Sequence, residues 1–115
     1  MQYSKAHELA REIRESEEYQ TYMRLKETVF ADETNKTLLA EYKKMQTRLQ
    51  MAAMAQTSGL EEEMRRFSQL TALLFANQEV SAYLLAEMRL QQMIGDIFKI
   101  LTDASGLDIH LPGME

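Results

Sequence analysis

Apolar residues recur at spacings of three and four along almost the whole chain, and no proline interrupts them between Met1 and Leu111. Proline breaks the i→i−4 hydrogen-bond ladder, while a 3.6-residue period places such side chains on one face, so the pattern predicts an all-α bundle of amphipathic helices. Five segments emerge. The first opens at Ser4 and directs Ala6, Leu9, Ala10 and Ile13 inward. Ser16, followed by Glu17 and Glu18, restarts the chain as a new N-cap whose first turn carries acids favourable to the macrodipole. The second helix then shows Tyr19, Tyr22, Met23, Val29 and Phe30 and ends near Ala31-Asp32.

The third helix is expected from Thr34 to Gln56, with a seam of Leu38, Tyr42, Met45, Leu49 and Ala52. Steps of 4, 3, 4 and 3 are those of two packed helices in a left-handed pair. Thr57-Ser58-Gly59 forms the break, and Ser58 with Glu61 fits a capping box. The fourth helix buries Leu60, Met64, Phe67, Leu70 or Thr71, and Leu74, which makes helices three and four an antiparallel hairpin.

Asn77 caps the last helix, which runs to Ala104 and spans ~40 Å at the helical rise. One row on it reads Tyr83, Glu87, Leu90, Ile94, Ile97 and Leu101; Val80, Leu84, Met88 and Phe98 lie beside it, and Leu85, Met93 and Ile100 further round. Such a helix is apolar over more of its girth than one neighbour covers. The expectation is a self-association surface comprising Tyr83, Glu87, Leu90, Ile94, Gly95, Ile97, Phe98 and Leu101. Gly95 reads either as a local break with Asp96 restarting the helix or as a point where a second backbone comes close. Glu87, inside the apolar row, is a rim carboxylate or pairs with an arginine such as Arg48 or Arg89.

The organisation expected is a single helical domain over 1–104 and a C-terminal tail over 105–115. Gly106 fits a helix C-cap, and Leu107, Ile109 and Leu111 alternate with polar residues, either as a partly ordered terminus or as an arm docking on a neighbour.

Composition narrows the chemistry. No apolar run reaches the ~20 residues of a membrane span, and the first residues lack the order of a secretory signal, so cytoplasm is the default compartment. With no cysteine there is no disulfide, thiolate nucleophile or cysteine-held metal. Neither His7 nor His110 has a glutamate three residues before it, and Arg11 stands where a zinc-protease helix needs its second histidine. Phosphate loops and nucleophile elbows are absent from a chain with four glycines. No catalytic, cofactor-binding or metal site is expected, and the chain is read as a non-enzyme.

The net charge of −5 is distributed as −2, +2 and −5 over residues 1–20, 21–58 and 59–115. An acidic C-terminal half disfavours direct nucleic-acid binding, which draws on phosphate neutralisation. Lys36, Lys43, Lys44 and Arg48 are scattered around the third helix and read as a solvated face. Among the nine methionines, Met45, Met51, Met54, Met64, Met88 and Met93 are mostly core filler, with the flexible Met51-Ala-Ala-Met54 segment suited to adaptable docking.

Ser16-Glu17-Glu18-Tyr19, Ala31-Asp32-Glu33, Gln46-x-Arg48-Leu49-Gln50, Ala86-Glu87-Met88-Arg89-Leu90 and Ile94-Gly95-Asp96-Ile97 occur in an order and at separations that resemble the small bacterial helical family of YlbF, YmcA and YheA, most closely its YheA-type branch. The resemblance covers residues 6–104. It implies an all-α cytoplasmic protein that self-associates through its long helices and works by protein–protein contact. Some relatives assist developmental regulation and an endoribonuclease, certain of them with iron–sulfur clusters on cysteines that this chain lacks. The reading is therefore a regulatory or scaffolding adaptor, a homodimer with a further protein partner of unknown identity; the alternative is an RNA-processing accessory factor assisting a ribonuclease complex.

Overall fold

The structure, a computed structural model, describes residues 1–109. All five elements among them are helices: α1 (Ser4–Glu15), α2 (Glu17–Phe30), α3 (Glu33–Met54), α4 (Glu61–Ala76) and α5 (Gln78–Ser105). The fold is all-α.

Local chemistry sets most of the boundaries. Ser16 both ends α1 and starts α2: its hydroxyl donates to the Ile13 carbonyl at 2.6 Å and accepts from the Tyr19 amide at 3.1 Å. Asp32 caps α3 by accepting from the Asn35 amide at 3.1 Å. Asn77 caps α5 through the amides of Glu79 (3.0 Å) and Val80 (3.2 Å). Each of these side chains satisfies an otherwise orphaned donor. Gly106 accepts the left-handed turn after α5 (φ +71°), and its amide closes onto the Thr102 carbonyl at 3.1 Å.

Three expectations about the ends are corrected. Ser4 is the first residue of α1 and not its cap; Tyr3 occupies that position without a side-chain cap bond. The Ser58–Glu61 capping box does not form, because the chain remains non-helical through Leu60, which is the N-cap of α4. The third helix closes at Met54, two residues early, through a Schellman turn. There the Gln56 amide donates to the Ala53 carbonyl (3.2 Å) and the Thr57 amide to that of Ala52 (3.0 Å). The turn requires a left-handed residue, and Gln56 supplies it at φ +56°.

The chain divides into two compact units, Met1–Leu25 with residues from Tyr83 onward, and Lys26–Ala82. The second unit holds the α3–α4 hairpin, the most closely apposed pair of helices among the described residues. Tyr42 stacks on Phe67 with centroids 5.2 Å apart and planes at 17°, which fixes the antiparallel register. Its buried apolar side chains are Val29, Leu39, Leu74 and Val80. The inner face of α4 reads Glu63, Phe67, Leu70 and Leu74, with Thr71 beside them and its hydroxyl donating to the Phe67 carbonyl at 2.7 Å. Met64 lies one position off that row and is exposed, as are Met51, Met54 and Met88; these are not core filler, and only Met45 and Met93 of the expected six are half-buried. Glu63 takes the inward place, and one of its carboxylate oxygens is buried without a hydrogen-bond partner.

The first unit has a smaller interior. Tyr83, Leu84 and Ala86 are its buried residues. The twelve residues of α1 include none. His7 is exposed, whereas His110 and the remainder of the expected tail lie outside the described residues.

Candidate association surface

The α5 row is laid down by the Asn77 cap and runs without interruption to Ser105, so Gly95 is an interior helical residue and Asp96 does not restart the helix. Glycine costs ~1 kcal/mol there relative to alanine, which a local break does not account for.

At the start of the row Tyr83 is 2% exposed and stacks on Tyr22, with centroids 5.5 Å apart and planes at 25°. Its hydroxyl donates to Glu87 Oε2 at 3.3 Å. Burial, reinforced by a hydrogen bond with Tyr22 and by the Glu87 carboxylate, holds this phenol far above its ordinary value near 10. Glu87 thus has a tyrosine as its partner in the row, at the i,i+4 spacing that brings two helical side chains together. The sequence signal was available: Tyr83 and Glu87 are four apart, and a buried phenol needs an acceptor.

Beyond this cluster the row opens. Leu90, Ile94, Gly95, Ile97 and Phe98 are half-buried, and Leu101 is 56% exposed. On other sides of the same helix Leu85 (49%), Met88 (57%) and Ile100 (66%) stand exposed. Of the expected surface, then, Tyr83 is taken up by its own chain and the remaining apolar members are left partly open. Leu85, Met88 and Ile100 extend the exposed apolar area around the helix and belong to the set that the 3.6-residue period alone placed outside the main row.

Beside Tyr83 lies an open cleft of ≈270 Å³ lined by Glu17, Glu18 and Thr21 of α2 and by Ala86 and Arg89 of α5. Its lining offers two carboxylates, a hydroxyl and a guanidinium around one methyl group, and its volume is at the lower edge of what small-molecule sites need. Among the described residues no group of three or more His, Cys, Asp or Glu side chains is placed to hold a metal ion. No helix among them is long and apolar enough to cross a membrane.

Five helices and no other regular element among the described residues define a small all-helical protein. A family model described as "Control of competence regulator ComK, YlbF/YmcA" matches residues 2–104, and the chain belongs to this family. Among curated relatives it is similar to a UPF0342 protein of Halothermothrix orenii, 36% identical over 109 residues that cover 95% of this chain and 91% of the relative. A UPF0342 protein of Alkalihalophilus pseudofirmus is 38% identical over 101 residues, covering 88% and 86% of the two chains. Among solved structures it is similar to a protein of unknown function (DUF964) from Bacillus stearothermophilus, at TM-score 0.76 and 25% identity, over 90% of this chain and 91% of that one.

Proposed function

We propose that this protein is a non-enzymatic regulatory or scaffolding adaptor of the cytoplasm that works as a homodimer and acts through protein–protein contacts. One observation carries the reading. Apolar side chains of α5 stand in water that does not favour them: Leu85 is 49% exposed, Leu101 56%, Met88 57% and Ile100 66%. The description of the family as controlling a competence regulator supports a role in regulation by contact.

Light scattering coupled to gel filtration tests the reading, with a particle of twice the 13.4 kDa chain mass expected at micromolar concentration. Ile94→Asp is expected to dissociate it and Glu62→Ala to leave it intact, since Glu62 is an exposed residue paired with Arg65 at 2.6 Å. A monomer at all concentrations refutes the proposal. Salt-dependent RNA retention that is lost on Lys43→Glu with Lys44→Glu would instead favour an RNA-associated accessory role.

A further inference from the structure

The buried side chains of the second unit all belong to one end of the α3–α4 hairpin. Asn35 and Leu39 lie near the start of α3, Leu74 lies in the last turn of α4, and Val29 and Val80 flank them from the adjoining helices. From Ala40 to Leu73 no residue is buried. Beyond the Tyr42–Phe67 stack, Met45, Leu49, Ala52 and Leu60 are half-buried, while Met51, Met54 and Met64 are 65%, 78% and 58% exposed.

Two features of this outer half work against closure. Leu60, Glu63, Phe67, Leu70 and Leu74 step by 3, 4, 3 and 4, the seam of a packed helix pair, and the acid breaks an otherwise apolar row. One Glu63 carboxylate oxygen is out of water and has no hydrogen-bond partner, the arrangement that costs a polar group most. The macrodipole does not call for an acid there, because Glu61 and Glu62 already meet it from exposed positions in the same turn. The second feature is the turn itself, where Gln56 holds φ +56°, a conformation that strains a residue with a side chain.

We infer that the α3–α4 hairpin opens reversibly from its turn end, with residues 45–66 separating as one unit, the Tyr42–Phe67 stack as the boundary and Glu63 as the residue that keeps the closed form shallow. A segment with few buried contacts opens at a free energy well below that of global unfolding. Opening returns the Glu63 carboxylate to water and uncovers Met45, Leu49, Ala52 and Leu60, while the end that holds Leu39 and Leu74 stays shut. The hairpin thereby carries an apolar surface that is presented in the open form, distinct from the exposed face of α5, and no second copy is needed to form it.

Amide hydrogen exchange of the full chain, read residue by residue by NMR, tests this. Helical amides of residues 46–54 and 64–67 are expected to be protected roughly tenfold less, or weaker still, than those of residues 37–41 and 71–76. Glu63→Leu completes the apolar row and is expected to slow exchange in the outer half by roughly tenfold or more, leaving the inner half unchanged. Glu63→Gln, which removes the charge but keeps a polar group inside, should slow it less. Glu61→Leu loses an acid from the same helical turn at an exposed position and should not slow it at all. Equal protection along the whole hairpin overturns the inference, and so does outer-half exchange that Glu63→Leu leaves unchanged or accelerates.

Discussion

Replacing Leu101 by alanine tests the proposed contribution of α5 to self-association. Full burial of a leucine side chain is worth ~1.5–3 kcal/mol. Leu101 is 56% exposed within its own chain, so covering the remainder by a partner contributes roughly 1 kcal/mol. In a two-fold symmetric dimer every substitution occurs twice, which raises the loss to roughly 2 kcal/mol, or about thirtyfold in the dissociation constant. The substitution is suited to the purpose because alanine is the better helix former and Leu101 touches little of its own chain, so the isolated protomer is not weakened. Sedimentation equilibrium over a hundredfold range of concentration measures the effect, and circular dichroism checks that helicity is retained. A change of less than threefold would show that the second half of α5 is not at the interface, whatever the oligomeric state.

Three further outcomes follow from particular residues. Gln56→Gly is expected to stabilise the chain by about 0.5–1 kcal/mol in urea unfolding, because glycine takes the left-handed conformation after α3 without the penalty a side chain incurs. Leu74→Ala removes a fully buried side chain from the second unit and is expected to cost about 2–5 kcal/mol in the same assay. Tyr83 holds its proton in the folded chain well above the value near 10 at which it ionises when unfolded. Above that pH the unfolded state releases a proton that the folded state keeps, so stability is full below pH 10 and falls as pH rises beyond it. Tyr83→Phe should flatten that fall, and a steepening, read by unfolding at several alkaline pH values, would refute the buried phenol as its cause.

The helical class, the five segments and the caps at Ser16 and Asn77 were legible in the chain, because they depend on contacts within a few residues. Ser16 and Asn77 satisfy backbone donors two or three positions on, and an uninterrupted 3.6-residue period needs no distant partner; Asp32, read only as the end of the second helix, caps α3 in the same way. What failed locally is equally specific. Ser58 and Glu61 have the spacing of a capping box, but the turn from Gln56 to Leu60 carries the chain past it before α4 begins.

Tertiary structure decided which side of each helix faces inward, and therefore which residues remain for a partner. The Tyr42–Phe67 stack rotates α4 so that Glu63 points in and Met64 out, a choice of one residue that hydropathy alone ranks the other way. On α5 the Tyr22–Tyr83–Glu87 cluster draws the start of the row into its own chain, leaving Leu101 at the far end more than half exposed. Periodicity counts apolar residues around a helix; only the positions of its neighbours determine how much of that apolar surface is still in water, and that remainder is what a second chain can cover.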